Sequence, residues 1–289
     1  MKQLALFISM FITMITTTNT SVADIIEDRH GNSYDIHTPV NRIVSLSPHI
    51  TELLFSLNAG DKIVATTDYS NYPPAAQKIP VIGGYQGINV EAILALQPDV
   101  VIAWPDANPH RVIEQLKALN IPVFISAPKN HQDILDDILW MAELSGTQAL
   151  GKLLLVEAQS RLAKIKSYQD KAPVNVFFQL GDQPLMSQNS DTFIHQAIVM
   201  CGGRNLFADS PAPAPLVSEE AVIQADPQII IASAKTGNQQ WQQRWLRYPS
   251  MQAVANKHLY SIDPDETHRP SLRFFDGTLM LCERIDRAR

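Results

Sequence analysis

One unit occurs twice in this chain, and that repetition limits the folds open to it more than any single motif does. Asn89-Val-Glu-Ala-Ile-Leu-Ala-Leu-Gln-Pro-Asp-Val-Val-Ile-Ala103 and Ser218-Glu-Glu-Ala-Val-Ile-Gln-Ala-Asp-Pro-Gln-Ile-Ile-Ile-Ala232 run in one register. Glu91 falls on Glu220, Ala92 on Ala221, Pro98 on Pro227, Ile102 on Ile231 and Ala103 on Ala232. Each stretch reads as a short helix, a proline stop and a strand. Asn89 and Ser218 can accept from the free N–H groups of a first helical turn, and proline ends a helix because it has no N–H to give. Val100-Val-Ile-Ala103 and Ile229-Ile-Ile-Ala232 are unbroken apolar runs. Such runs suit parallel strands covered on both faces.

A weaker echo follows each unit. Ala118-Leu-Asn-Ile-Pro-Val-Phe-Ile-Ser-Ala-Pro128 and Val254-Ala-Asn-Lys-His-Leu-Tyr-Ser-Ile-Asp-Pro264 both pass from a helix end through Asn into a strand and on to Pro. Each half also opens on an apolar strand, at Arg42–Leu46 and at Asn175–Leu180. Strands alternating with helices imply a parallel sheet. The fold expected is therefore α/β: two lobes, each with a central, mainly parallel sheet flanked by helices. Helical patterns over Asp133 to about Leu144 and Thr147 to about Tyr168 lie between the halves, with Gly151 the one Gly or Pro inside the second. This divides the chain into a first lobe over 24–144, a connecting helix over 145–170 and a second lobe over 171–289. With no flexible linker in between, the lobes should hinge little. Ile25–Asp28 and Tyr34–His37 read as a β-hairpin on the first lobe.

Residues 1–23 are set apart from this pattern. Lys2, an apolar stretch from Leu4 to about Met14, and a small-x-small ending at Ser21-Val-Ala23 have the form of a cleaved secretory signal peptide. The apolar part is shorter than the roughly 20 residues a membrane span needs. An exported protein is expected. The net charge of −6 argues against general binding to nucleic acid or anionic membranes. Cys201 and Cys282 are the two cysteines. In an exported chain they point to one disulfide, with two buried thiols the alternative. A bridge closing so long a loop is worth ~4–5 kcal/mol on the chain-entropy argument.

Open α/β sheets bind ligands beyond the carboxyl ends of their strands, so two such lobes facing each other make one cleft. Trp104 directly follows the Val100–Ala103 run, Tyr69 and Tyr72 follow Ile63–Thr66, and Tyr85 sits in Gly83-Gly-Tyr-Gln-Gly87. Asp265 and Arg269 come just after Leu259–Ile262 in the second half. Aromatic faces on one wall and a charged pair on the other suit a large, partly planar, amide-bearing ligand. Core packing for the aromatics and a local ion pair for Asp265 and Arg269 are the plainer readings. Glu91 and Glu220 fall in the first turns of their helices, where a carboxylate meets the positive dipole end. As a matched pair on two similar lobes they also suit a two-fold partner that presents paired arginines. No nucleophile elbow, phosphate loop or HExxH stretch occurs, and the eight histidines are dispersed. No catalytic or metal site is expected. His49 and His268 are the residues a periplasmic enzyme would have to use.

Several of these stretches together are similar to the periplasmic binding proteins with a helical backbone (class III), and to their cobalamin-binding branch. They include Arg42-Ile-Val-Ser-Leu-Ser-Pro48, Thr51-Glu-Leu53, Asp68-Tyr-Ser-Asn-Tyr-Pro-Pro74, Gly84-Tyr-Gln-Gly-Ile-Asn-Val-Glu91, Leu96–Trp104, Cys201-Gly-Gly-Arg-Asn-Leu-Phe207 and Val217-Ser-Glu-Glu220. The resemblance spans about Asn41 to Cys282. It implies a monomeric carrier, not an enzyme, that holds cobalamin between its lobes as cargo and hands it to an ABC importer in the inner membrane. Tyr69, Tyr85 and Trp104 would line the corrinoid site from the first lobe, and Asp265 and Arg269 from the second. Glu91 and Glu220 would dock to arginines of the permease dimer, and Cys201 and Cys282 would form the disulfide. Tyr85 stands where a Trp is common, and Leu180 and Ala214 stand where a Phe and a Trp are expected. A haem or siderophore carrier is the neighbouring alternative.

Overall fold

The computed structural model describes residues 24–28, 31, 33–36, 39–235 and 237–289. The signal-peptide reading falls on residues 1–23, outside those described. The amino-terminal hairpin pairs Asp24–Glu27 with Ser33–Ile36, antiparallel.

Two four-stranded sheets follow, and they have the same topology. In the first, the strand Ile43–Ser45 lies between Ile63–Ala65 and Val100–Ala103, with Val123–Ile125 at the far edge. In the second, Val174–Gln179 lies between Gly203–Asn205 and Ile229–Ser233, with Leu259–Ile262 at the far edge. All six pairings are parallel. Numbered within each lobe, both orders are 2-1-3-4, so the repeat seen in sequence is a repeat of topology.

The unbroken apolar runs are explained by what covers each face. Val100, Ile102, Ile229 and Ile231 belong to one core shared by both lobes. Their neighbours Val101 and Ala103 face a second core confined to the first lobe, and Ile230 and Ala232 face a third confined to the second. A strand with two buried faces has no polar side to show, hence no alternation. The unit itself repeats in detail. Asn89 accepts from Ala92 N at 2.9 Å and Ser218 from Ala221 N at 3.1 Å, starting the helices Val90–Ala95 and Glu219–Ala225. Gln97 (φ 46°) and Asp226 (φ 41°) both turn left-handed just before the matched prolines.

Between the sheets run two long helices, His131–Ser145 and Gln148–Lys166. Asn130 opens the first with a capping box closed by Asp133, and Gly146 ends it at φ 74°. Gly151 is needed where the two helices cross, since a Cβ there would lie 2.5 Å from that of Ala142. Ile138, Ala142, Ala158 and Leu162 from this pair join Phe274, Leu281 and Ile285 of the last helix, Leu272–Arg287, in the shared core. Cys201 and Cys282 form a disulfide, both fully buried, that fixes the helix Phe193–Met200 to this last helix. Among the described residues no helix is long and apolar enough to cross a membrane.

Candidate functional site

In each sheet the chain reverses its direction of winding between the first and third strands. A crevice opens there, at the carboxyl ends of the strands, and this is where such sheets take ligands. Each lobe has a pocket at that place.

The first-lobe pocket is lined by Leu46 and Pro48 beyond the first strand, Ala107 and Asn108 beyond the third, and Thr67, Asp68, Tyr69, Gly84 and Tyr85. Asn108 joins the two strand ends: its Nδ2 donates to Leu46 O at 2.8 Å and its Oδ1 accepts from Trp104 N at 2.7 Å. Tyr69 is 77% exposed and Tyr85 86%. Large apolar rings seldom stand so far into solvent without a partner. Tyr69 is also held at φ 65°, a region costly for a side chain of its size and one that clusters at binding sites. The glycines around Tyr85 allow the two tyrosine loops to touch. A Cβ on Gly84 would lie 2.2 Å from Asp68 Oδ2, and one on Gly83 would lie 2.1 Å from Gly87 O.

Trp104 stands behind this pocket with its indole edge against His49, ring centroids 5.0 Å apart. Its buried indole N–H has no partner among the described residues. His49 is buried, and burial lowers its pKa from 6.5 to about 3, so the ring is neutral. Ser126 Oγ donates to Asp137 Oδ2 at 2.7 Å, so it accepts from His49 Nε2 at 2.9 Å, and His49 Nδ1 accepts from Ser47 at 2.8 Å. The hydroxyl of Ser47 is thereby committed as a donor and does not cap its helix. This relay props Trp104 and is closed to solvent. His268 is tied to Thr267 Oγ1 and Pro264 O through Nδ1, each at 3.2 Å, and burial likewise lowers its pKa.

The second-lobe pocket is lined by Gln179, Leu180, Gly181 and Asp182 at and beyond the end of the first strand, Ala232, Ser233 and Ala234 at and beyond the end of the third, and Asn238 and Trp241. Ala214 is exposed beyond it in Pro211–Leu216, where Leu216 is 71% exposed.

Asp265 and Arg269 pair at 2.8 Å, and the pair extends across the lobes. Arg269 Nη1 also donates to Glu52 Oε1 and to Asn71 Oδ1, each at 2.9 Å. Glu52, 3% exposed on the first-lobe helix Pro48–Ser56, accepts in addition from Ser271 Oγ at 2.6 Å and from Arg273 Nη2 and Nε at 2.6 and 3.1 Å. The Arg273 guanidinium lies over the Tyr72 ring, 4.0 Å from its centroid. Arg269 is thus engaged at the seam between lobes, two residues along the chain from Tyr69 through Asn71, with 11% of its side chain exposed. The seam joins the helix that follows the first strand of the first lobe to the segment that follows the last strand of the second. Sequence reasoning missed Glu52 and Arg273 as its anchors. The Thr51-Glu52 pair was visible, but its partners lie more than two hundred residues away in the chain.

Glu91 and Glu220 are both exposed, each one turn or less from its N-cap. Their neighbours differ. Val90 is buried, whereas Glu219 is held by Arg244, Arg247 and Tyr248. Burial works against charge on Glu219, but hydrogen bonds from Tyr248 and Arg244 outweigh it and hold the carboxyl below its usual range.

The model of the periplasmic binding protein family matches residues 43–266. The vitamin B12-binding protein of Vibrio parahaemolyticus serotype O3:K6 is 33% identical over 251 residues, 86% of this chain and 90% of that one. Among solved structures, the periplasmic vitamin B12 binding protein BtuF of Vibrio cholerae aligns with a TM-score of 0.80 at 33% identity, covering 86% of this chain and 98% of that one. The haem-binding protein RhuT of Roseiflexus sp. RS-1 aligns with a TM-score of 0.73 at 24% identity, covering 86% and 99%; at that identity the likeness is one of fold. With its doubled α/β topology, helical backbone and paired pockets, this chain belongs to the periplasmic binding protein family.

Proposed function

We propose that the protein captures cobalamin in the periplasm, between its two lobes, and delivers it to an ABC importer in the inner membrane. One observation carries the reading: two pockets at equivalent switch points, on lobes tied together where Arg269 bonds Glu52 and Asn71, with Tyr69 and Tyr85 standing exposed on the first-lobe side. A single bulky guest can touch both. The relatives named as vitamin B12-binding proteins align along nearly their whole length, which favours a corrinoid among bulky guests. Tyr69 and Tyr85 form the first-lobe wall by stacking and apolar contact, with Trp104 behind them. From the second lobe Asp265 offers a carboxylate, 26% exposed, beside Arg269, and its task is to meet the amides of the corrin rim. No residue is assigned a catalytic role: both ring nitrogens of buried His49 are hydrogen-bonded, and His268 is tied through Nδ1 to Thr267 and Pro264.

Calorimetric titration with cyanocobalamin and with haemin tests the cargo. One-to-one binding of cyanocobalamin is expected, and tight binding of haemin alone would overturn the reading. Delivery rests on Glu91 and Glu220, one acid per lobe for a two-fold permease. Changing both to Lys is expected to abolish cobalamin uptake in cells while leaving the calorimetric affinity within about twofold, as rim charges act on encounter more than on a remote pocket. Undiminished uptake would leave the two acids as helix-end stabilisers and nothing more.

A further inference from the structure

The second-lobe pocket and the helix that carries Glu220 share one guanidinium. Arg244, on the short helix Gln242–Trp245, donates through Nε to Asp182 Oδ1 at 3.0 Å and through Nη2 to Asp182 O at 2.9 Å, and it pairs through Nη1 with Glu219 Oε1. The other Glu219 oxygen accepts from Arg247 Nη2 and Tyr248 OH, each at 2.9 Å. Behind Asp182, its Oδ1 accepts from Gln179 Nε2 at 3.3 Å, while Gln179 Oε1 accepts from the Trp245 indole at 2.7 Å. The bonds thus run from pocket floor to helix start and back through Trp245, the next residue after Arg244. Within this cluster Gln179 and Asp182 both line the pocket, and Asp182 is the carboxylate among them, with 43% of its side chain exposed. Glu219 is the residue immediately before Glu220.

We propose that Arg244 is a positioning residue that makes the setting of Glu220 depend on what fills the second-lobe pocket. The inference rests on the carrier reading above. A ligand bearing primary amides donates N–H to the Asp182 carboxylate and so competes with Arg244 for the same oxygen. The guanidinium then turns its remaining donors toward Glu219, drawing on the first turn that presents Glu220. An empty pocket leaves the guanidinium shared between the two acids. A ligand shifts an element only by contacts that differ between its two arrangements, and competition for Asp182 Oδ1 is such a difference. The first lobe has no such device: buried Val90 occupies the place of Glu219.

The test follows the backbone amide signals of Glu219, Glu220 and Ala221 in isotope-labelled protein, with and without cyanocobalamin. Those signals are expected to move on binding in the wild type. In Arg244→Gln their movement falls by at least about half, while the signals of Gly84–Ile88 respond as before and affinity stays within about tenfold. Glu219→Gln breaks the same link from the other side and supplies the same readout if Arg244→Gln does not fold. An unchanged response in either folded variant overturns the proposal, as does a wild-type helix that ignores a ligand the Tyr85 hairpin feels. Absence of any cyanocobalamin binding by the wild type would instead remove the cargo reading beneath it, and calorimetry separates the two outcomes.

Discussion

At the residue scale, exposed and half-buried aromatic rings lie together at the first-lobe pocket. Tyr69 and Tyr85 stand in solvent while Trp104 is backed by the neutral His49. Trp104→Ala should therefore weaken cyanocobalamin binding by about 10- to 100-fold, the range for a packed aromatic contact, with the far-ultraviolet circular dichroism unchanged. Wild-type affinity would move the cleft elsewhere. His49 supplies a second prediction. Its folded pKa is lowered from 6.5 to about 3, so below pH 6.5 the unfolded chain takes up a proton that the folded one refuses. Stability is fully present above pH 6.5 and falls as pH drops toward 3, by about 1.4 kcal/mol per pH unit for one such group. His131, His195 and His268 are shifted the same way, so part of the slope persists without it. Denaturant unfolding of His49→Gln between pH 6 and 4 should show a shallower slope than wild type, whatever the variant's absolute stability. Tyr69 and Trp104 stood out in the sequence as candidates because they follow strands, and Tyr85 because it sits in a glycine-rich loop. The His49 relay could not, since Ser126 and Asp137 have no local mark linking them to Ser47.

At the scale of elements, the repeat was readable because both copies answer the same demand. Val100–Ala103 and Ile229–Ser233 are each buried on two faces, and their helices are capped by Asn89 and Ser218 through the same bond. The helix boundaries were read less well. The pattern starting at Asp133 begins structurally at His131, because Asn130 and Asp133 cap each other and bring two polar residues inside the helix. Gly151, the one Gly or Pro in the second, longer helical pattern, is a contact point. Its missing Cβ lets Gln148–Lys166 lie against Ala142. Gly151→Val should drive the crossing apart and cost about 1–3 kcal/mol, the usual range for overpacking. Gly151→Ala should cost less than Gly151→Val, because helix propensity returns up to about 1 kcal/mol. Thermal melts of the two variants check the order; a Val variant as stable as wild type would mean the helices separate at no cost.

For the molecule as a whole, the question is what keeps two similar lobes at a fixed separation. The shared core runs through both, from Ile43 and Ile102 to Phe178 and Ile231 by way of the connecting helices. This apolar continuity opposes wide opening of the kind seen where lobes are joined by loops alone. At the cleft end the only polar tie of comparable burial among the described residues is Glu52, which takes bonds from Arg269, Ser271 and Arg273 at once. Sequence reading placed Arg269 at the ligand because it follows the strand Leu259–Ile262; its bond to Glu52 on a distant helix leaves no trace in local spacing. A buried carboxylate facing two guanidiniums is costly to disturb from one side: removing it strands Arg273, while Arg269 keeps Asp265, at about 3–5 kcal/mol. Glu52→Gln should lower stability by that order and speed hydrogen exchange in both Pro48–Ser56 and the segment 268–273, on opposite sides of the seam. Adding Arg273→Met removes the stranded cation together with its partner, and should recover part of the loss without restoring the tie. If exchange in Glu52→Gln rises on one side alone, Glu52 stabilises its own helix and the shared core by itself sets the lobe spacing.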